Sequence, residues 1–386
     1  MRVRTSSLEG GAYLNSGHHP VRVASRTDAS IARSAQATGS RLRIGIDARK
    51  IEDFGIGSYI QGLLSALATL DGNEEYVVFA PDRARPRIPS PFQHVVVDTP
   101  PYSLRELVAM GRAAGRARLN LFHAPHYVLP FTSVPTIVTI HDLIHLHIRH
   151  RNPLAPVYAR TMLGRAVRKS VRILTVTNAV KHEITSTFGC DDAKVMVTPN
   201  GIDPIFSTAA PKPRPGPYFV YAGNDKPHKN VDTLVDAFGR VRRERSNVQL
   251  VLAGAPFTRF MSRDGVVLAG FVSRNDLVSL YRGALALVMP SLEEGFGLPA
   301  AEAMACGTAV ITSTNAALVE VTGDAALHVE ANDAAGLAAA MLRIADDDAF
   351  RAALGSLGIE QARSFTWRRC AELTRDVYRA ALSAES

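Results

Sequence analysis

The chain has 386 residues, of which 46% are hydrophobic and 21% are charged, and its mean hydropathy is +0.02. This length predicts two domains of ordinary size, and the composition argues against a single small module or a globally disordered chain. The longest apolar runs are strand-sized, which argues against an integral membrane protein, and three scattered cysteines cannot build a disulfide framework or a zinc ribbon. A reducing cytoplasm is the expected compartment.

Half of the net charge of +8 lies near the N-terminus, where six arginines and two acidic residues lie between positions 1 and 41. Residues 1–40 are rich in Ser, Ala, Gly and Arg and show no hydrophobic periodicity, which predicts a disordered extension that is dispensable for folding. An organelle transit peptide has a similar composition, although a flexible extension or a start codon placed too early explains the segment more simply.

Residues 41–205 alternate short apolar runs with longer amphipathic ones, a pattern typical of a parallel sheet covered by helices. Between the first two runs, apolar residues recur at helical spacing from position 60 to position 70. We therefore predict an α/β, Rossmann-like doubly wound domain whose strands lie at 42–46, 76–79, 94–97, 120–122, 136–140, 173–175 and 195–197.

Six prolines between positions 199 and 217 predict a stiff interdomain linker. The alternation then resumes, so that residues 206–365 predict a second Rossmann-like domain with strands at 218–221, 249–252, 266–269, 285–289 and 309–311. Residues 366–386 contain a periodic helical run that either caps the second domain or crosses back to the first. Two such domains facing each other place the ligand site in the cleft between them.

The most specific segment is Ser291-Leu-Glu-Glu-Gly-Phe-Gly-Leu-Pro-Ala-Ala-Glu-Ala-Met-Ala-Cys-Gly307, directly after a predicted strand. Pro299 suits the first turn of a helix and Gly307 suits its end, which predicts a strand, a loop and a helix. Gly295 and Gly297 leave the loop without side chains, so backbone N–H groups and the helix dipole are expected to approach an anion closely. Phosphate is the natural ligand for such a loop.

Glu294 lies in this loop and Glu302 lies eight positions later, near the start of the helix. Together with the residues that flank them, these glutamates resemble the hallmark of the retaining family 4 glycosyltransferases of GT-B fold, in which two glutamates are separated by seven residues. The resemblance runs from about residue 41 to the C-terminal helix. It implies that Glu294 contacts the donor sugar, that Glu302 contacts the nucleotide ribose, and that Gly295, Phe296, Gly297 and Leu298 line the donor site.

A second matching segment, Tyr221-Ala-Gly-Asn-Asp-Lys-Pro-His-Lys-Asn230, follows the first strand of the second domain. Members of the family usually present an Arg and a Lys here to hold the donor diphosphate, and Lys229 matches that Lys. Asn224 follows Gly223 where the Arg is expected. Either Lys226 supplies the second positive charge or the diphosphate is held less strongly.

The third segment, Thr139-Ile-His-Asp-Leu143, follows a strand of the first domain. The resemblance implies that His141 lies beside the donor sugar. A packed or solvated histidine is the ordinary alternative. Asp142 either faces the crevice with it or caps the following turn.

A glycine-rich piece, Asp53-Phe-Gly-Ile-Gly-Ser-Tyr59, opens the first helix of the first domain. Ile60 stands where a dinucleotide-binding loop needs its third glycine, so no nicotinamide or flavin cofactor is expected. The resemblance places Gly55 and Gly57 near the donor phosphates, whereas a tight strand-to-helix turn explains them without a ligand. The turn Asn200-Gly-Ile-Asp203 likewise resembles the hinge-proximal turn of the family.

Two other enzyme classes fail on the placement of their residues. Asp346, Asp347 and Asp348 contain the carboxylates of a metal-dependent transferase but fall between two helical runs, where helix capping explains them better. A hydrolase triad lacks a Gly-x-Ser-x-Gly turn after a strand. No metal ion is therefore expected.

These segments and the resemblance predict a metal-independent hexosyltransferase in which Lys229 and the helix dipole stabilise the leaving diphosphate. The resemblance implies that the transfer retains the configuration of the sugar. The sequences of these segments resemble those of bacterial mannosyltransferases of polysaccharide and O-antigen assembly. This resemblance favours GDP-mannose as the donor and a glycan or lipid-linked molecule as the acceptor. A UDP-sugar-dependent glucosyl- or galactosyltransferase is the alternative enzyme. A pI of 9.6 alone would fit a nucleic-acid-binding protein, but no nucleic-acid recognition motif in the sequence supports this alternative.

The stretch from 145 to 172 carries many basic residues and no acidic residue. It predicts a peripheral contact with an anionic membrane, at the inner face of the plasma membrane for a cytoplasmic enzyme. An ordinary solvated helix face is the alternative.

Overall fold

The computed structural model describes residues 41–99, 104–147, 155–209 and 216–383. The predicted extension at 1–40, residues 210–215 of the predicted linker and residues 148–154 of the basic stretch lie outside the described residues. None of the helices within these ranges has the length and apolar character needed to cross a bilayer.

The first domain is built on seven parallel strands: β1 Leu42–Asp47, β2 Glu74–Ala80, β3 Gln93–Val96, β4 Leu121–Ala124, β5 Thr136–Ile140, β6 Arg172–Thr175 and β7 Val195–Val197. Their order in the sheet is β3-β2-β1-β4-β5-β6-β7. The inner strands β4 and β5 are buried on both faces, as their largely apolar sequences predict. The strand order reverses between β1 and β4, which opens a crevice at their carboxyl ends.

In the described ranges, five α-helices accompany this sheet: α1 Ile56–Leu67, α2 Leu104–Arg116, α3 Ile144–His147, α4 Ala155–Lys169 and α5 Asn178–Phe188. The helix-spaced apolar residues of α1 are buried, as predicted. In α5, the Thr177 hydroxyl accepts a hydrogen bond from the Val180 N–H at the start, and Gly189 ends the helix with a φ of 62°. These are the residue types expected at the two ends of a helix.

The second domain is built on six parallel strands: β8 Tyr218–Gly223, β9 Gln249–Gly254, β10 Val266–Gly270, β11 Ala286–Met289, β12 Ala309–Ser313 and β13 Ala326–Val329. Their order is β10-β9-β8-β11-β12-β13, with the reversal between β8 and β11. Every predicted strand of both domains is present, so the predicted fold class is confirmed. The sequence analysis missed β13, because this short edge strand is only partly buried and is interrupted by His328.

Seven α-helices lie between residues 216 and 383, the part of the second half that the structure describes: α6 Val231–Glu244, α7 Arg274–Gly283, α8 Leu298–Ala305, α9 Ala316–Thr322, α10 Ala334–Asp346, α11 Asp348–Ala362 and α12 Trp367–Ser383. Pro299 lies in the first turn of α8, and Gly307 follows its end with a φ of 74°, as predicted. Asp347 caps α11 by accepting a hydrogen bond from the Phe350 N–H at 2.8 Å. Asp347 of the acidic triplet therefore has a capping role, while Asp346 pairs with Arg245 and Asp348 pairs with Arg351.

The chain passes between the two domains at two adjacent points. Ile202 pairs with Thr366, and the Ile202 N–H donates to Phe365 O at 3.0 Å. Gly201 permits this approach, since a Cβ atom there would stand 2.1 Å from the Trp367 N. The final helix α12 then packs on α1 and shares the core of the first domain through Cys370, Ala371, Val377, Tyr378 and Ala381.

Candidate active site

The carboxyl ends of β8 and β11 meet where the strand order of the second sheet reverses. The chain after β8 forms a 3-10 turn at Pro227–Lys229, and the loop after β11 leads into α8. Open parallel sheets bind ligands at this kind of crevice. Lys229 and Glu294 therefore approach it from two neighbouring strands.

Lys229 and Glu294 form an ion pair in this crevice. The Lys229 Nζ donates to Glu294 Oε1 at 2.5 Å, and 16% and 8% of the two side chains are exposed. Asn230 fixes the turn that carries Lys229, because it adopts a φ of 55° and its side-chain amide donates to Pro290 O and Ala331 O. Asn tolerates this left-handed conformation better than most residues do. The turn after β8 is thereby tied to the end of β11.

The glycines of the loop before α8 have a packing role that the sequence analysis did not anticipate. A Cβ atom on Gly295 would stand 1.9 Å from His141 O, and Gly295 O accepts a hydrogen bond from Thr177 Oγ1 at 2.9 Å. Gly297 caps α8 with a φ of 87°, and a Cβ atom there would stand 2.4 Å from Leu318 Cδ2. Gly295 thus lets the two domains meet, and Gly297 lets the chain turn into α8.

His141 follows β5 and contacts the second domain through Gly295. Its Nε2 donates to Pro125 O at 3.1 Å, and its ring packs edge-on against Tyr59 with 4.7 Å between the ring centroids. Burial lowers the pKa of His141 to about 4, so the imidazole is neutral at neutral pH. With its proton on Nε2, the ring keeps Nδ1 as a hydrogen-bond acceptor.

Asp142 caps the following turn, since its Oδ1 accepts a hydrogen bond from the Ile144 N–H at 3.1 Å. Burial raises the pKa of this carboxyl above its ordinary value, and the charges of Glu294 and Lys229 also act on it. The two domains therefore bring His141 and Asp142 to the same place as Lys229 and Glu294.

Glu302 lies in α8, apart from this group. Its Oε2 accepts a hydrogen bond from the Tyr281 hydroxyl at 3.4 Å. Burial raises the pKa of Glu302 to about 8, although the positive charge of Arg274 and the hydrogen bond from Tyr281 oppose this rise. The predicted ribose contact is therefore a half-buried carboxyl that is largely protonated below pH 8.

Sequence reasoning does not single out Arg274, which pairs with Asp203 and acts on the charge of Glu302. It begins α7, directly after the capping residue Ser273. A cation in the first turn of a helix is unfavourable with the helix dipole. An arginine after a helix-capping serine was therefore a usable signal for a nearby anion.

The other predicted residues of the β8 loop surround this site less closely. Gly223 ends β8, and a Cβ atom there would stand 2.8 Å from the Tyr221 hydroxyl oxygen. Asn224 O accepts from that hydroxyl at 2.9 Å, and Asn224 Oδ1 accepts from the Lys226 N–H at 3.2 Å. The Lys226 residue is exposed, whereas Lys229 is partly buried beside Glu294.

Phe296 and Leu298 have apolar surroundings. The Phe296 side chain is 4% exposed and packs edge-on against Phe365, so a donor contact at this position falls to the backbone. Leu298 packs partly buried against the same core.

The glycine-rich loop of the first domain also reaches the second domain. Gly55 caps α1 with a φ of 67°, and a Cβ atom on Gly57 would stand 2.6 Å from Ile51 O. The tight turn into α1 therefore accounts for both glycines, and their contact with donor phosphates stays a prediction. Next to them, Phe54 stacks on Phe271 of the second domain with 5.9 Å between centroids, although both side chains are largely exposed.

Within the described ranges, no three His, Cys, Asp or Glu side chains are grouped so that they could hold a metal ion. The functional groups at the cleft are instead one lysine, neighbouring carboxylates and a neutral imidazole.

Two family profiles match the chain, one for each domain. The profile described as Glycosyltransferase Family 4 matches residues 55–206, and the profile described as Glycosyl transferases group 1 matches residues 205–361. Together they span both sides of the cleft, including His141, Lys229, Glu294 and Glu302.

Individual relatives agree with this assignment. The O-antigen chain mannosyltransferase B of Escherichia coli is 28% identical over 281 residues, which is 67% of this chain and 74% of the relative. A D-inositol 3-phosphate glycosyltransferase of Kineococcus radiotolerans is 31% identical over 268 residues, 59% of this chain and 62% of the relative. The HepE protein of Anabaena in complex with UDP-glucose superposes with a TM-score of 0.70 at 16% identity, covering 88% of this chain and 100% of its own. The chain thus belongs to the group 1 glycosyltransferases and has their GT-B fold.

Proposed function

We propose that this glycosyltransferase moves a hexose, with retention of configuration and without a metal ion, from a nucleotide diphosphate sugar to an acceptor hydroxyl. GDP-mannose is the favoured donor, so mannose is the transferred sugar. The reaction belongs to polysaccharide, O-antigen or glycolipid assembly. The observation that carries the proposal is the Lys229 to Glu294 ion pair at the β8 and β11 crevice, in contact range of the His141 loop.

The diphosphate is the group that needs positive charge as the glycosidic bond breaks. Lys229 is a partly buried cation, and α8 begins beside it with its positive dipole end at the loop of Glu294. Charge placed in advance where negative charge develops is an effective way to stabilise a transition state. Donor binding then requires Lys229 to share its three N–H donors between Glu294 and the phosphate.

His141 and Glu294 suit the sugar end of the donor. A neutral imidazole with Nδ1 as acceptor and a carboxylate both accept hydrogen bonds from hydroxyl groups, and they meet from opposite domains. If the acceptor attacks from the face that the diphosphate leaves, a phosphate oxygen takes its proton. A separate carboxylate base is then unnecessary.

The name of the Escherichia coli relative supports mannose, whereas the UDP-glucose complex of HepE supports the alternative of a UDP-sugar donor. We would incubate the protein with labelled GDP-mannose, UDP-glucose and UDP-galactose and measure nucleoside diphosphate release. Fastest release from GDP-mannose is the expected result. Release from a UDP-sugar alone would replace GDP-mannose by the alternative donor, and release from none of a broad panel would reject the proposed activity.

A lipid-linked acceptor would bring the enzyme to an anionic membrane, and the first domain has a surface for this contact. On α4, Val157 and Tyr158 are 62% and 40% exposed, and Arg160, Arg168 and Lys169 are also exposed. Apolar and basic side chains together suit the surface of an anionic bilayer.

Arg165 lies in the predicted basic surface, but its side chain is engaged within the protein. Its guanidinium donates to Leu129 O and Pro130 O and lies 4.6 Å from the ring centroid of Phe131. This arginine therefore holds the loop after β4, and the exposed basic residues are better subjects for a membrane test.

The nucleic-acid alternative rested on overall charge. Membership in a glycosyltransferase family gives the basic residues of the crevice a different anion, the donor diphosphate.

A further inference from the structure

A carboxylate of the second domain caps a helix of the first domain. Glu320, in α9, accepts hydrogen bonds with Oε1 from the Asn178 N–H at 2.8 Å and from Asn178 Nδ2 at 2.9 Å. Its Oε2 accepts from the Ala179 N–H at 2.9 Å. Both N–H groups belong to the first turn of α5, where backbone donors lack partners within the helix and carry partial positive charge.

The same end of α5 makes a second interdomain contact. Thr177, its N-cap residue, donates its hydroxyl to Gly295 O at 2.9 Å. Gly295 directly follows Glu294 and abuts His141 O. The start of α5 is therefore held between Glu320 and the loop that carries Glu294.

The position of α5 is linked to that of His141 through the sheet. The strand β6 leads into α5, and β6 pairs with β5, the strand that leads to His141, with Ile140 opposite Thr175. Whatever fixes the start of α5 against the second domain therefore also fixes the His141 loop against Glu294.

From this geometry we infer that Glu320 is a positioning residue for transfer. By capping α5 it holds the two domains in the closed arrangement in which the His141 loop meets Glu294. The inference rests on the proposed function for its kinetic consequence, but the closed arrangement itself can be measured without turnover.

Loss of the cap would lower the fraction of molecules in the closed arrangement. The apparent affinity for the donor falls in proportion to the fraction of molecules that are competent to bind. Binding of the donor across the cleft then restores closure, so the effect belongs mainly to KM and only slightly to kcat. A residue that merely stabilises the fold would instead lower the melting temperature and the amount of active enzyme.

Three variants of the full chain test this role: Glu320→Ala, Glu320→Gln and the control Glu330→Gln. Glu330 is an exposed glutamate of the same domain. Gln keeps the size of Glu320 but places an NH2 group where one carboxylate oxygen accepts a hydrogen bond, so Glu320→Gln should resemble Glu320→Ala. The measurements are hydrogen exchange of the Asn178 and Ala179 amides with and without GDP or UDP, thermal melting, and the steady-state kinetics of the donor.

For both Glu320 variants we expect amide exchange at the start of α5 to be about tenfold faster, which corresponds to about 1.4 kcal/mol. The donor KM should rise about tenfold while kcat changes less than about threefold. Glu330→Gln should match the wild type in every measurement. Unchanged exchange at Asn178 and Ala179 would overturn the inference whatever the kinetics show. A fall in kcat and melting temperature with unchanged KM would also overturn it, since that result describes a structural residue.

The proposed function fails separately. If the wild type releases nucleoside diphosphate from no nucleotide sugar, the exchange measurement still decides whether Glu320 caps α5 in solution.

Discussion

Each of the two sheets carries a carboxylate paired with a cation where its strand order reverses, and the two pairs are built differently. At the end of β1, both carboxylate oxygens of Asp47 accept hydrogen bonds: Arg49 donates to Oδ1 at 2.9 Å and to Oδ2 at 2.6 Å, and His126 Nε2 donates to Oδ2 at 3.1 Å. In the second domain, the side chains of Lys229 and Glu294 share one hydrogen bond, and neither side chain makes another within the described part of the chain.

This difference separates a buried structural pair from the pair that we propose as the binding site. The Asp47 side chain is fully buried, and Arg49 also pairs with Glu106 at 3.0 Å, so the charges at this site satisfy one another. Burial alone would raise the pKa of Asp47, but Arg49 and His126 outweigh it and hold this pKa well below its usual range. The Lys229 ammonium keeps N–H donors for a ligand. We therefore assign stability to the first pair and chemistry to the second.

The strongest test of this comparison removes the buried carboxylate. Asp47→Ala leaves Arg49 buried without its main partner, which typically costs roughly 3 to 5 kcal/mol of unfolding free energy. Urea denaturation measures the change, and Asp47→Asn provides a variant of the same shape if Asp47→Ala does not fold. Asp98→Ala is the control, because Asp98 is a largely exposed partner of Arg83. A loss below about 1 kcal/mol in Asp47→Ala would show that the first pair is not a scaffold.

The second test concerns chemistry. If Lys229 stabilises the leaving diphosphate, Lys229→Ala should lower kcat about a hundred- to a thousandfold, equivalent to roughly 3 to 4 kcal/mol of transition-state stabilisation. Lys226→Ala is the matched control and should cost less, because Lys226 is exposed. If Glu294 positions the reacting sugar as proposed, Glu294→Ala should also lower kcat strongly. Steady-state kinetics on variants with normal melting curves decide the point. Near-normal turnover in both Lys229→Ala and Glu294→Ala would refute the assignment of chemistry to this pair.

The two pairs also differ in how far the sequence predicts them. Lys229 and Glu294 lie in short sequence motifs that follow apolar strands, so the position after a strand and the local sequence identify them. The first pair also depends on a residue distant in sequence, because His126 lies 79 positions from Asp47. In the same domain, His123 bonds Tyr378 across 255 positions. No local spacing reports such contacts.

The fold follows the same rule. Continuous apolar runs predict the buried strands of both sheets, whereas the partly buried β13 lacks this signal. The domain contact of Glu320 with Asn178 spans 142 positions and joins two residues that are ordinary on their own helices. Packing between domains therefore had to come from the structure.

A third prediction extends the comparison to the outer surfaces of the domains. If α4 contacts an anionic membrane, Arg160→Ala/Arg168→Ala should weaken binding to phosphatidylserine-containing vesicles by about 2 kcal/mol, since each basic residue near the surface contributes about 1 kcal/mol. Co-sedimentation at low and high salt measures this change. The control is Arg240→Ala/Arg243→Ala, two exposed arginines of α6 in the second domain. Equal binding by both double variants, or no binding by the wild type, would assign α4 to an ordinary solvated face.

The smallest expected effect concerns Glu302, which differs from Glu294 in lacking a cation in contact. Its pKa of about 8 exceeds the ordinary value of 4.5, so between these pH values the folded chain holds a proton that the unfolded chain has released. The stability contributed by the protonated carboxyl is therefore complete below pH 4.5 and is lost as the pH rises through 8. Glu302→Gln removes this titration. We expect it to melt roughly 2 to 4 °C above the wild type at pH 9 and close to the wild type at pH 5.

The kinetic role of Glu302 is separable from this titration. Because the ribose changes little between ground and transition states, Glu302→Ala should raise the donor KM about tenfold with kcat nearly constant.

Calorimetric melting of Glu302→Gln from pH 5 to pH 9, with the exposed-site variant Glu330→Gln as reference, measures the titration. If the melting temperature depends on pH in the same way in the wild type and both variants, Glu302 is ionised across the whole range. In that case Glu302 would resemble Glu294, and the distinction between a protonated carboxyl at the proposed ribose site and an ion-paired carboxylate at the proposed sugar site would be lost.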